Sequence, residues 1–133
     1  MRAPIQIHLK GEDSEGRLGM VETVVDAGFA GPPLHVHPEF DEGFYVLEGE
    51  LTFQVNGDLM TVRAGEFAFA PRGTPHTFAN LSDGPARQLI VVAPAGFERY
   101  FMRMAAERAG VPPPPEAEGP IPETRRVGPR IGG

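Results

Sequence analysis

The stretch His35-Val36-His37-Pro38-Glu39-Phe40-Asp41-Glu42, followed after six intervening residues by Gly49, decides the reading of this chain. Its counterpart is Gly65, then Pro71-Arg72-Gly73-Thr74-Pro75-His76, then Asn80. Alternate residues of a strand share a face, so His35 and His37 project together, about 6–7 Å apart along the backbone. Two imidazoles so placed can both reach one ion at about 2.0–2.1 Å. His76 is the third candidate ligand, carried by a loop that Pro71 and Pro75 stiffen. A carboxylate belongs beside them. Strand parity nominates Glu39, but Pro38 interrupts the strand, and Asp41 and Glu42 lie just beyond.

Working outward, Ile5, Ile7 and Leu9 alternate with Gln6, His8 and Lys10, a half-buried strand that ends at the polar turn 11–16. His8 lies on its polar face and reads as a solvated surface residue. A second strand is expected over 18–25 and another from Phe44 to Glu48. Leu51, Phe53 and Val55 alternate with Thr52 and Gln54 ahead of Asn56-Gly57, which favours a type I′ hairpin returning through 59–62. Further strands are expected at 67–70, from His76 through Phe78, and at 88–93. Phe44, Val46, Phe53, Phe78 and Ile90 share inward parity and are the candidate lining of a substrate pocket. Many short strands with Gly and Pro turns indicate an all-β closed barrel or jelly roll.

One helix is expected over 97–109, stopped by Gly110, with Phe97, Phe101, Met104 and Arg108 as a stripe of core contacts. Beyond it, seven of the fifteen prolines fall between Pro112 and Pro129. The reading is therefore a barrel with its helix over residues 1–110 and a Pro-rich extended or disordered tail over 111–133.

The formal net charge of −6 and a pI near 5.2 exclude a basic stripe for nucleic acid or an anionic membrane. No run of apolar residues is long enough to span a bilayer, and Met1–His8 has no apolar leader core. A cytoplasmic protein is the expectation. With no cysteine, metal chemistry is left to histidine and carboxylate.

The two quoted stretches resemble the paired motifs of the cupin superfamily, Gly-x5-His-x-His-x4-Glu-x6-Gly and Gly-x5-Pro-x-Gly-x2-His-x3-Asn. The second matches throughout. The first matches from His35 onward, with Phe29 in the slot of its leading glycine. The resemblance implies a double-stranded β-helix, a jelly-roll barrel with one C-terminal helix packed at its outside or mouth. It also implies that Glu42, rather than Glu39, joins His35, His37 and His76 as metal ligands. One divalent transition metal per chain is then expected, of Fe, Mn, Ni, Co, Cu or Zn, a choice the donor set leaves open. Three imidazoles and one carboxylate around a divalent ion leave a charge of about +1 and a vacant position, suited to an enolate oxygen. Glu42 is also the candidate catalytic base. Gly49, Gly65 and Gly73 are expected at positive φ, Asn80 in local backbone bonds, and Arg72 as a solvated turn residue rather than a substrate clamp.

Small single-domain cupins with intact ligands resemble, as a group, mononuclear non-haem dioxygenases of the quercetinase type. That favours oxygenation of a small hydroxy-ketone or flavonol-like substrate. The alternatives are a metal-assisted isomerase, cyclase or lyase working without oxygen, and a non-catalytic metabolite-binding module. The expected partners are a small molecule and a second copy of the chain in a homodimer, with neither nucleic acid nor membrane.

Overall fold

The computed structural model describes residues 4–132. In chain order the strands are β1 (Ile5–Leu9), β2 (Gly19–Val25), β3 (His35–Val36), β4 (Asp41–Glu48), β5 (Glu50–Val55), β6 (Asp58–Arg63), β7 (Phe67–Ala70), β8 (His76–Ala79), β9 (Ala86–Ala93) and β10 (Arg125–Arg126). The helix α1 (Glu98–Ala109) follows β9. Two five-stranded sheets, β1-β2-β9-β4-β7 and β10-β3-β8-β5-β6, face each other as a jelly-roll sandwich, every pair antiparallel. The expected all-β barrel with one helix is what forms.

Alternation builds the interior. On β9, Ala86, Gln88, Ile90 and Val92 are buried while their neighbours are half-exposed. On β4, Glu42, Phe44 and Val46 face inward opposite them, Glu42 beside Val92 and Phe44 beside Ile90. The turn at Asn56 (φ 51°) and Gly57 (φ 87°) is left-handed at both residues, as a type I′ hairpin requires, and joins β5 to β6. One strand reverses the usual choice of inward residue: on β7, Ala68 and Ala70 point in while Phe67 and Phe69 lie outside. Ala68 and Ala70 sit opposite Phe44 and Glu42, where the interior already holds a ring and a carboxylate. Outside, the Phe67 ring lies over Gly43, where a side chain would collide with it.

α1 starts where the buried Glu98 carboxylate accepts hydrogen bonds from the Gly96 and Gly11 amides at 2.6 and 2.9 Å. It ends at Gly110 in the left-handed conformation (φ 69°). The tail runs back along α1 and the barrel. Arg103 of α1 donates to the Ala117 and Gly119 carbonyls, and Arg99 to that of Pro120, supplying bonds that a proline-rich backbone cannot make with itself. Ile121 packs against the core, and Ala117 is fully buried. Prolines thin out after Pro122, so Arg125 and Arg126 can enter a ladder with Val36 and His35, and Val127 donates to the Leu34 carbonyl at 2.8 Å.

Candidate metal centre

β3 and β8 are paired so that His35 and His76 stand directly opposite each other. Residues opposite in an antiparallel pair place their side chains on one face, so both rings enter the interior together. Their centroids are 4.5 Å apart, and His37 lies 4.8 Å from His35 and 5.1 Å from His76. Glu42 comes from the facing sheet. Its Oε1 is 3.0 Å from His76 Nε2 and 3.2 Å from His37 Nε2. One donor atom from each of His35, His37, Glu42 and His76 lies within 4.8 Å of the others, and three of these side chains are buried. Glu39, the parity candidate, is not in the cluster: Pro38 ends β3, leaving the Glu39 carboxylate exposed and accepting from the Glu123 amide at 2.9 Å.

Each imidazole is oriented through Nδ1. His35 Nδ1 faces the Pro33 carbonyl at 2.7 Å and His76 Nδ1 that of Thr74 at 2.9 Å. His37 Nδ1 faces the Thr124 hydroxyl at 3.1 Å and the Glu123 carbonyl at 3.4 Å. Such acceptors keep the proton on Nδ1 and turn the Nε2 lone pair inward. Lone pairs meeting an anionic oxygen at this range repel unless something positive stands between them. His37 Nε2 is buried and makes no hydrogen bond at all. A divalent cation answers both facts. Two donors each about 2.1 Å from one ion, at right angles, would lie about 3.0 Å apart, the separation of His76 and Glu42.

Burial lowers the His35 imidazole from 6.5 to about 4, with the neighbouring His76 and His37 adding to the effect and the Pro33 carbonyl and Glu42 opposing it. Burial alone would raise the Glu42 carboxyl, but the His37 and His76 rings set against its Oε1 outweigh that and bring it down to about 2. Both groups are therefore in their ligating form at neutral pH. The unfolded chain protonates His35 near 6.5 and the folded chain near 4, so in that window the unfolded state binds more protons. Stability of the metal-free protein is expected to be full above 6.5 and to fall as pH drops towards 4. His35→Gln should flatten this part of a denaturant-midpoint profile; an unchanged slope would contradict it.

A cavity of about 420 Å³ opens from the cluster between β2, α1 and β10. Phe44, Phe78 and Ile90 line it as expected from parity. Val46 and Phe53 do not: they face inward, but deeper, where they are 0% and 1% exposed and the Phe53 ring packs 4.9 Å from that of Phe44. The helix stripe Phe97, Phe101, Met104 and Arg108, expected to be core contact, lines the cavity as well, although Phe97 and Phe101 also pack on the core. Thr124 and Arg126 of the tail complete the wall. Their place depends on an ordered tail, and no local pattern in the sequence marks it.

Other expectations resolve simply. His8 is surface-exposed and bonds the Glu22 carboxylate at 2.8 Å. Arg72 grips Asp41 through Nε, Nη2 and its amide, a turn brace outside the cavity lining. Gly49, Gly65 and Gly73 have φ of 75°, 89° and 79°. The Asn80 amide donates to the Val25 and Gly84 carbonyls while its oxygen accepts from Ser82.

Thr124 makes a separate test of the tail. Thr124→Ala is expected to weaken metal binding about tenfold, the low end of the about 10–100-fold cost of losing an outer partner, because the Glu123 carbonyl remains. Thr124→Ser should keep the affinity. Chelator competition reads both; equal affinities for alanine and parent would mean that the tail does not hold His37.

Fold and site together define a jelly-roll barrel with a buried donor set, three histidines and one glutamate, compatible with one metal ion. The family model for the cupin domain matches residues 21–92, and the chain belongs to that family. It is 41% identical over 46 residues to quercetin 2,3-dioxygenase of Bacillus subtilis, covering 35% of this chain and 14% of that protein. It is 28% identical over 99 residues to the tetracenomycin polyketide synthase protein TcmJ of Streptomyces glaucescens, covering 74% of this chain and 58% of that one. The chain thus spans less than two thirds of either relative. Among solved structures, TT1209 from Thermus thermophilus superposes with a TM-score of 0.56 at 35% identity, covering 59% of this chain and 74% of that one. Among the described residues no helix is long and apolar enough to cross a membrane.

Proposed function

We propose that this cupin is a metal-dependent dioxygenase acting on a flat, aromatic hydroxy-ketone of the flavonol type. The observation that carries the reading is the position of the donor cluster, buried at one wall of a cavity whose other walls are largely aromatic and aliphatic. A divalent ion held by His35, His37, Glu42 and His76 supplies Lewis-acid chemistry and, for a redox metal, a partner for O2. The residues do the rest. Phe44, Phe78, Phe97 and Phe101 offer ring faces to a planar ligand and keep water away from its enolate. Glu42 is held ionised, and its Oε1 faces the two imidazoles. Its Oε2 makes no hydrogen bond and is the atom that takes the substrate's hydroxyl proton. The likeness to quercetin 2,3-dioxygenase supports the same reading.

The second reading, cyclisation or isomerisation without oxygen, is favoured by the match to a polyketide synthase protein along 74% of this chain. An oxygen electrode separates the two. Protein loaded in turn with Fe, Mn, Ni and Co is mixed with flavonols; absence of uptake with every metal abandons the dioxygenase. Conversion of a polyketide-like substrate under argon supports the second reading, and tight binding without product supports a binding module. The open edge of β1 in its sheet supports a homodimer, which sedimentation tests directly.

A further inference from the structure

Nearly every cationic side chain in this protein has a partner. Lys10, Arg17, Arg63, Arg72, Arg87, Arg99 and Arg125 are in ion pairs, and Arg103 and Arg130 bond backbone carbonyls. Among the described residues, Arg108 and Arg126 alone have neither an ion pair nor a hydrogen bond, and both line the cavity. They reach it from different elements, Arg108 from the last turn of α1 and Arg126 from β10. Register explains the orientation of Arg126. It stands directly opposite the candidate ligand His35, so their side chains share a face, with Cβ atoms about 4.5–5.5 Å apart. Arg125 takes the other face and pairs with Glu123 at 2.7 Å. Outside the donor cluster, the cavity has one acidic residue, Asp26, which makes no ion pair. A chain of net charge −6 therefore keeps two unpaired guanidiniums against one carboxylate around an apolar pocket. That arrangement concentrates anions at the opening of an otherwise anion-repelling surface.

We propose that the substrate is an anion: an aromatic hydroxy-ketone whose oxygens face the donor cluster and which carries a carboxylate at its other end. The carboxylate is received at the mouth by Arg126 and Arg108, whose planar forks match it. This rests on the metal-dependent reading of the site and adds the charge and polarity of its ligand.

Calorimetry with two probes tests it, using protein loaded with redox-inert Zn so that neither probe is consumed. The probes are 3-hydroxyflavone-4′-carboxylate and the matching, uncharged 4′-carboxamide. At low salt the carboxylate is expected to bind about ten- to a hundredfold tighter, as for a charge-assisted contact. Arg126→Gln and Arg108→Gln should each reduce that preference, and the double variant should abolish it. Arg125→Gln, on the other face, should leave it intact. Equal binding of the two probes, failure of both to bind, or an Arg125→Gln effect as large as that of Arg126→Gln would overturn the proposal. His76→Ala separates the levels. If both probes bind it as tightly as the parent, the metal reading fails; if both are lost there but show no charge preference in the parent, only the anion proposal fails.

Discussion

His76→Ala is expected to leave a folded barrel that no longer retains metal, with affinity falling by more than about a hundredfold. Loss of an outer hydrogen-bond partner already costs about 10–100-fold, and here a donor atom itself is removed. The remaining His35, His37 and Glu42 cannot close the gap. His76 is the ligand paired across the sheet to His35 and set 3.0 Å from Glu42 Oε1. Folding should survive, because the strand around it is held by ladder bonds to β5 rather than by the ring. The cost of the small void beside Phe44 and of the Thr74 carbonyl left unpartnered is about 1–3 kcal/mol. Metal analysis after dialysis, with circular dichroism and a melt on the same sample, checks this. His8→Ala is the matched control, since that ring sits on the outer face with Glu22. Unchanged metal content in His76→Ala would remove the ligand assignment.

Phe53→Ala is expected to carry the larger penalty to stability, about 3–5 kcal/mol, a large share of the about 5–15 kcal/mol that holds a domain together. Its ring is 1% exposed and packs against Phe44 at 4.9 Å and Phe78 at 5.7 Å. It is not among the residues that line the cavity, so truncation leaves a void that the two sheets cannot collapse. Phe44→Ala should cost less although Phe44 is almost as buried, because one side of that ring already faces the cavity and fewer contacts are lost. Denaturant midpoints with an unchanged slope give both values. If Phe44→Ala proved the more damaging, the assignment of Phe53 to packed interior and Phe44 to pocket wall would be reversed.

The contrast between Phe44 and Phe53 also marks how far a linear reading reaches. Parity along β4 and β5 places both rings inside, and it does so correctly, because the pleat has a period of two whatever the rest of the chain does. Parity carries no information about depth. Whether an inward residue meets a neighbour or a space depends on what the opposite sheet and α1 bring to that level. The same limit applies on β7, where apolar character alone would send Phe67 and Phe69 inward and the large groups opposite keep them out. It applies to the helix too: its spacing identified the stripe from Phe97 to Arg108, but whether that stripe meets core or cavity was settled by the position of α1 over the opening.

Local chemistry written along the chain was enough to establish the strands of the barrel up to Ala93, the Asn56–Gly57 hairpin, the helix stop at Gly110 and the three histidines of the cluster. Each of these follows from backbone preference or from spacing within a few residues. The folded molecule decided that Glu42 and not Glu39 enters the cluster, since Pro38 breaks the parity on which Glu39 depended. It also decided that a proline-rich tail becomes part of the site. Thr124 reaches His37 across 87 residues and Arg126 lies opposite His35. Contacts at such separation exist only after the barrel has closed and α1 has supplied the bonds that guide the tail back.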